Sequence, residues 1–252
     1  CVSCNGPRVC MGSQGLIVED ARGHEVARFH SPFLLVSRGL VSVTEESGNF
    51  RIVEMDLPPA PADGWVFVKD DEQHCAVLEG STPLGDVRLA VDVPGDGNTT
   101  LNASFRRNTK SVAENEAIFL AWTIARDPHA AVFGMGVQYS VLDLRGRRVP
   151  VVTTEQGVGR GLQPLSFFLD LFANGAGGSW WSTYAPVPRY TTTSGQAVWL
   201  DAHEYAAFDF TSSDTTRIAI MFAPTQEDCN AILRVSTHET PLQAIADFTS
   251  AA

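Results

Sequence analysis

The stretch FGMGVQYSVLDLRGRRVPVVTTEQGVGRGLQP (Phe133–Pro164) combines glycines with arginines, carboxamides and carboxylates. Its glycines are Gly134, Gly136, Gly146, Gly157, Gly159 and Gly161. Glycine adopts positive φ and lets two backbones approach closely, so such a run is typical of a binding site or of sharp turns. Two β-like runs, Tyr139–Leu144 and Val149–Thr153, pass through it. The stretch predicts a folded loop that presents arginines, amides and a carboxylate to a small polyhydroxylated ligand.

Short β-type runs separated by polar turns fill most of the chain on both sides of this stretch. Gly15–Glu19 and Glu25–Phe29 predict a hairpin, and Ala117–Arg126 is apolar enough to lie in the core. Further predicted strands are Phe33–Ser37, Leu40–Thr44, Asn49–Glu54, Trp65–Lys69, Cys75–Glu79, Val87–Val93, Thr99–Arg106, Ala197–Asp201, Ala206–Phe210 and Arg217–Phe222. Helical spacing appears only at the end, from Pro241 onward. The pattern predicts one all-β domain, an antiparallel β-sandwich over residues 1–240, followed by a helical segment over 241–252.

Two segments and one aromatic cluster leave alternatives open. Leu165–Phe172 (LSFFLDLF) is either a short helix or a buried segment, because periodicity does not separate the two at this length. Asp228–Val235 is either a helical turn or a strand. Four aromatic residues either stack on sugar rings or seal a domain interface: Trp180, Trp181, Tyr184 and Tyr190. The interface role is favoured because aromatic enrichment is an interface signature.

Charge and hydropathy exclude several classes of partner. A formal net charge of −11 over 252 residues argues against a nucleic acid or an anionic membrane, because phosphate binding relies on lysine and arginine. No apolar run approaches the roughly 20 residues that span a bilayer, and no secretory signal is visible, so we expect a cytoplasmic protein. The chain opens on Cys1 rather than methionine and stops in a helical segment at Ala252, so we expect both ends to be cut from something longer.

The five cysteines allow a metal site or free thiols. Cys1, Cys4 and Cys10 crowd the start of the chain, while Cys75 and Cys229 stand alone. Cys1-x-x-Cys4 has zinc-like spacing, but a structural zinc site usually takes four ligands in two close pairs. We therefore expect no metal and no cofactor, and free, reduced cysteines in an intracellular protein.

Candidate catalytic groups are scattered. Asp143 and Glu155 could act as the acid and nucleophile of glycoside hydrolysis, although nothing in their spacing fixes a short separation. Holding their own loop through arginine hydrogen bonds is the more usual role for such carboxylates. His203 and Glu204 could form a mutarotase-type pair, but adjacent residues of an extended chain point to opposite faces. The sequence has neither a nucleotide-binding glycine loop nor a Gly-x-Ser-x-Gly elbow.

The motifs of the central stretch resemble those of a known family. FGMGVQYS (Phe133–Ser140) and DLRGRRVP (Asp143–Pro150) are similar to the N-terminal region of glycoside hydrolase family 31. EQGVGRG (Glu155–Gly161), with Ala176-Gly177-Gly178 and TYAP (Thr183–Pro186), resembles its sulfoquinovosidase-like branch more specifically. The resemblance covers about Phe133–Pro188.

The resemblance implies a mutarotase-like supersandwich that precedes a (β/α)8 barrel, with the catalytic aspartates on the barrel. This chain would then be the non-catalytic opening domain of a retaining α-glycosidase of α-glucosidase or sulfoquinovosidase type, with its own barrel and an α-glycoside as partners. No catalytic residue is expected here. A loop of the sandwich would wall the substrate pocket, its arginines anchoring the loop or facing an anionic sugar substituent and its Glu and Gln bonding hydroxyls. The candidate wall residues are Arg145, Glu155, Gln156, Gly159, Arg160 and Gln163.

Two other functions remain open at this point. A free-standing carbohydrate-binding module would use the same loop and tryptophans without a barrel. A small mutarotase-type enzyme would need a convergent His–Glu pair. Whether the reading frame continues past Ala252 into βα repeats separates the first of these from the glycosidase hypothesis.

Overall fold

The computed structural model describes residues 1–46, 49–56, 59–68, 74–94, 98–108, 116–138, 140–154, 164–173 and 176–251. The strands are β1 (Val2–Ser3), β2 (Arg8–Gly12), β3 (Gly15–Glu19), β4 (Glu25–Glu46), β5 (Asn49–Asp56), β6 (Ala60–Pro61), β7 (Asp63–Val68), β8 (Ala76–Thr82), β9 (Gly85–Asp92), β10 (Thr99–Arg107), β11 (Ala117–Ala125), β12 (Val132–Gly136), β13 (Arg148–Val151), β14 (Pro186–Thr192), β15 (Gln196–Asp201), β16 (Ala206–Asp209), β17 (Thr215–Phe222) and β18 (Asp228–Thr237). The helices are α1 (Pro164–Phe172) and α2 (Pro241–Ala251).

The strands form two antiparallel sheets. The first runs in the order β1-β2-β3-β4-β11-β17-β16-β13, and β5 and β6 pair with β4 outside this order. The second runs β12-β14-β15-β18-β10-β9-β8-β7. Neighbouring strands are antiparallel throughout the described ranges. The predicted all-β sandwich with a short C-terminal helix is confirmed.

Alternating side chains of both sheets build the core. In β17, Ile218, Ile220 and Phe222 are fully buried while the residues between them are partly exposed. In β10, Leu101 and Phe105 follow the same period of two. Each such side chain contributes roughly 1.5–3 kcal/mol when it leaves water. The alternation that predicted these strands is therefore also what fixes the face that each strand buries.

The longest strand differs from its prediction. The sequence predicts three separate strands, at Glu25–Phe29, Phe33–Ser37 and Leu40–Thr44, whereas the structure has one strand, β4. Where β4 pairs with β11, Trp122 lies opposite Leu34 but Ile124 lies opposite Phe29, so the ladder is irregular between them. An irregularity of this kind accommodates Pro32, which has no backbone N–H to donate to the ladder.

The structure resolves both open segments and corrects one prediction. Leu165–Phe172 is helical, in α1, and Asp228–Val235 is extended, in β18. The β-like run predicted at Tyr139–Leu144 is wrong over residues 140–144, which form bends and irregular backbone rather than a strand, while Tyr139 lies outside the described residues. The strands β12 and β14 had no prediction, since glycines and prolines hide their alternation.

Four of the five cysteines form disulfides, so the prediction of free, reduced cysteines is wrong for these four. Cys1 pairs with Cys10, and Cys4 pairs with Cys75. Val2 lies opposite Val9 in the β1–β2 register, which places Cys1 and Cys10 as the next facing pair. Cys229 remains a thiol, and burial raises its pKa to about 11. Among the described residues, no group of three or more His, Cys, Asp or Glu side chains could hold a metal ion.

The C-terminal helix begins with a reciprocal cap. The Gln243 N–H donates to Thr240 Oγ1 at 3.3 Å, and the Thr240 N–H donates to Gln243 Oε1 at 3.1 Å. Pro241 then occupies the first helical position, as predicted. Arg189 of β14 donates to the carbonyl oxygen of Ala244, which attaches α2 to the second sheet. Neither helix of the described chain has the length and hydropathy required to cross a membrane.

Candidate functional site

Three successive residues with positive φ shape the start of the central stretch. The φ values are 126° at Gly134, 68° at Met135 and 105° at Gly136. A Cβ at Gly134 would lie 2.4 Å from the carbonyl oxygen of Arg189, and one at Gly136 would lie 2.2 Å from that of Ala185. Both glycines are thus required by the close approach of β12 to β14, whose register shifts between them.

The buried side chain of Gln138 follows this turn and helps to fix it. Its Nε2 donates to the carbonyl oxygen of Met135 at 2.6 Å. One residue earlier, the carbonyl of Val137 accepts a hydrogen bond from Thr183 Oγ1 at 2.9 Å. The Thr154 N–H in turn donates to the Thr183 carbonyl at 3.1 Å. Three separate segments of the candidate site are therefore joined at Thr183.

Asp143 and Arg145 close a tight turn between β12 and β13. Arg145 Nε donates to Asp143 Oδ2 at 2.8 Å, and the Asp143 Oδ1 accepts the backbone N–H groups of Val132 and Arg145 at 3.2 Å. Partial burial acts to raise the pKa of Asp143, but the hydrogen bonds from Arg145 and from the backbone outweigh it and hold this pKa below its usual range. Asp143 thus has the loop-holding contacts that the sequence predicts for it.

Arg147 lies against an aromatic ring of the site. Its guanidinium carbon is 4.9 Å from the ring centroid of Trp180, within the range of a cation–π interaction. The backbone of Arg147 is fixed as well, because its carbonyl accepts the Phe210 N–H at 2.8 Å. One face of Trp180 is therefore covered by a cation, whereas Tyr184 nearby in the chain is exposed.

The structure tests the placement of only part of the predicted pocket wall. Arg145 is described, with its guanidinium exposed to solvent beside Asp143. The other candidates lie outside the described residues: Glu155, Gln156, Gly159, Arg160 and Gln163. Their segment is bounded by Thr154, which is buried, and by Pro164, where α1 begins. Thr154 and Pro164 are therefore the described residues nearest to these candidates.

The His–Glu pair considered from the sequence does not form a convergent acid–base site. The His203 backbone N–H donates to Glu204 Oε2 at 3.0 Å, so the carboxylate caps its own turn. His203 itself is exposed. Sequence reasoning missed the Thr183 and Arg147–Trp180 contacts, because their partners are distant along the chain. It missed Gln138 because the bond to Met135, three residues away, depends on the positive-φ turn between them.

Comparison with known proteins gives the family context of this geometry. No family model matches the chain. The sulfoquinovosidase of Escherichia coli (strain K12) is 26% identical over 221 residues, which cover 87% of this chain and 30% of that enzyme. The sulfoquinovosidase of Agrobacterium fabrum is 31% identical over 193 residues, covering 69% of this chain and 28% of the relative.

A solved structure shares the fold. The family 31 sulfoquinovosidase from E. rectale, in complex with an aza-sugar inhibitor, matches 98% of this chain and 34% of its own with a TM-score of 0.67 and 20% identity. Together, the sandwich fold and the sequence relatives define a domain of a carbohydrate-active hydrolase class. The chain belongs to glycoside hydrolase family 31 as a sulfoquinovosidase-like domain, which confirms the resemblance noted from the motifs. It spans about three tenths of the length of the curated relatives.

Proposed function

We propose that this chain is the non-catalytic N-terminal sandwich of a retaining α-glycosidase, of α-glucosidase or sulfoquinovosidase type. It packs on a catalytic barrel and lends the Arg145–Gln163 loop to the substrate pocket. The observation that carries the proposal is the pattern of coverage. The matches include most of this chain but only 30% and 28% of the two sulfoquinovosidases, so each relative has a long region outside the match.

The described contacts support a role in positioning the loop. Hydrogen bonds at Thr154 and Thr183 hold one boundary of the 155–163 segment, and helix α1 holds the other. Loops that rise from a rigid scaffold at a domain boundary are common walls of ligand pockets. Arg145 is hydrogen-bonded to Asp143, and Arg147 stacks on the ring of Trp180. These two arginines therefore stabilise the fold of the loop rather than bind the sugar. Direct contact with an anionic or hydroxylated sugar then falls to the 155–163 segment.

The test is kinetic and uses the full-length protein. We expect the full-length enzyme to hydrolyse α-sulfoquinovosides faster than neutral α-glucosides, and the Arg160→Ala variant to lower kcat/KM by roughly 10- to 100-fold, because a displaced pocket wall misaligns the substrate. The exposed Arg106 of β10, four strands away from β12 in the second sheet, supplies the control, Arg106→Ala. Unchanged kinetics of Arg160→Ala in a folded protein contradict a role of the loop in the pocket. No α-glycoside turnover by the full-length protein contradicts the proposed function as a whole.

The two disulfides provide information on the cellular compartment in which the protein folds. The cytoplasmic location expected from the sequence stays a prediction, and the Cys1–Cys10 and Cys4–Cys75 pairs favour an oxidising compartment instead, because cytosolic thiols are kept reduced. Lysis of the native host in excess iodoacetamide, followed by mass spectrometry without reduction, measures this. We expect both crosslinked peptide pairs. Complete alkylation of all five cysteines supports the cytoplasm and contradicts an oxidising compartment.

A further inference from the structure

Helix α1 has an inverted distribution of polar and apolar side chains. Its single buried residue is Ser166, whereas its large apolar side chains face solvent. The exposed fractions are 51% for Leu165, 63% for Phe167, 55% for Phe168, 61% for Leu171 and 77% for Phe172. These five side chains are called the α1 face below. A helix of a soluble protein normally directs such side chains into its own core.

The α1 face is large and continuous. The rings of Phe167 and Phe168 lie 5.8 Å apart in an edge arrangement, and those of Phe168 and Phe172 lie 6.3 Å apart and stacked. Large apolar side chains of this type bury about 150–250 Å² each, so the exposed parts of five amount to roughly 500 Å². This is comparable with the largest apolar patch of an ordinary monomer, and such patches often mark interaction sites. It is also more than half of the ~800 Å² that each partner buries in a standard interface.

The helix is held in this orientation by its polar side. Asp170 Oδ1 accepts the Gly177 N–H at 3.0 Å, so the single charge of the helix is directed toward the turn that follows it. A Cβ at Gly177 would lie 2.5 Å from the Ser166 carbonyl oxygen, which shows how closely that turn packs on the helix. The α1 face is therefore preformed, and none of its five side chains carries a charge.

We propose that the α1 face docks onto the region that the sulfoquinovosidase relatives carry outside the matched part. This inference rests on the proposed function, which supplies that region as the catalytic barrel. Two observations select it over other occupants. The matched part is only 30% and 28% of the relatives, so each relative carries on its own polypeptide a region of sufficient size to be the partner. The uncharged, aromatic face suits a permanent interface rather than a transient one.

The position of α1 in the chain links its docking to the proposed substrate pocket. Pro164 begins α1 directly after the 155–163 segment that is proposed to wall the pocket. Docking of α1 therefore fixes Pro164, the first residue of the helix, against the barrel. The helix serves as a positioning element, and loss of docking displaces the wall without touching the reacting groups.

Carbene footprinting of the full-length protein tests the docking. A diazirine probe labels solvent-exposed side chains. Val66 of β7, which is 56% exposed and distant from α1 in the sequence, provides the reference. Per unit of side-chain area exposed in the isolated domain, we expect the α1 peptide to be labelled at least about fivefold less than Val66. This difference should hold at every protein concentration. Phe168→Asp is expected to restore the labelling and to lower kcat/KM, while Val66→Asp changes neither.

The outcomes separate this inference from the proposed function. An active α-glycosidase whose α1 peptide labels as readily as Val66 overturns the docking and leaves the function standing. Protection that appears only at high protein concentration assigns the face to a second copy and also overturns the docking. A reading frame without a further domain, or a full-length protein without glycosidase activity, overturns the proposed function itself. If Phe168→Asp does not fold, the labelling of the α1 peptide relative to Val66 in the wild-type protein tests the docking by itself.

Discussion

Replacing both Cys4 and Cys75 by serine is expected to lower the free energy of unfolding by about 4 kcal/mol. The crosslink joins residues 71 positions apart, and a long closed loop restricts the unfolded chain more than a short one does. It also connects the two sheets, because Cys4 follows β1 of the first sheet and Cys75 precedes β8 of the second. For a domain of this size the loss corresponds to a fall in Tm of about 10 °C.

The second disulfide of the chain provides the matched control for this measurement. Cys1 and Cys10 are only 9 positions apart, so the Cys1→Ser, Cys10→Ser variant is expected to lose about 2.5 kcal/mol by the same argument. Urea denaturation of both double variants and of the wild type gives the three free energies. Adding dithiothreitol should destabilise the wild type and leave a variant without either disulfide unchanged. An equal midpoint for oxidised and fully reduced wild type contradicts the stabilising role of the crosslinks.

Most of the sandwich is predictable from local sequence. The β17 run TTRIAIMF alternates strictly, and burial of Ile218, Ile220 and Phe222 against partly exposed neighbours follows from that period. β12 and β14 escape prediction for the opposite reason. Gly134 and Gly136 remove the side chains that would show alternation, and the prolines of β14 suggest a loop. Their pairing depends on contact between backbones, which a one-dimensional pattern does not contain.

Long-range partners set the other limit of prediction. Five cysteines admit several pairings, and only the fold brings Cys75 beside Cys4. The same limit applies to the candidate site, of which only the local contacts could be predicted. Asp143 and Arg145 are two residues apart, so a local ion pair could be expected, whereas Arg147 and Trp180 meet only through the fold. α1 shows a third limit, because the periodicity of Leu165–Phe172 does not separate a short helix from a buried segment, and the structure has a helix whose apolar side chains are exposed.

Gly134→Ala is expected to destabilise the central stretch strongly. The new Cβ would lie 2.4 Å from the Arg189 carbonyl oxygen, and a φ of 126° is a conformation that L side chains rarely adopt. Because the obstacle is backbone, no side-chain rotation relieves it. The ladder between β12 and β14 must therefore open, which costs about 3 kcal/mol or more. Urea denaturation measures the loss, and hydrogen exchange at Tyr190, which pairs with Gly134, locates it.

Gly146→Ala separates the close approach of the backbones from the cost of positive φ alone. Gly146 also has positive φ, 73°, but a Cβ there meets nothing within 4 Å. Its substitution should cost about 1 kcal/mol and leave exchange at Tyr190 unchanged. If both variants lose the same stability, positive φ alone explains the requirement and the packing of β12 on β14 is not the cause. If Gly134→Ala loses far more and exposes Tyr190, the glycine is needed because the two backbones touch, and the same contact then sets where Gln138 and Thr183 hold the candidate site.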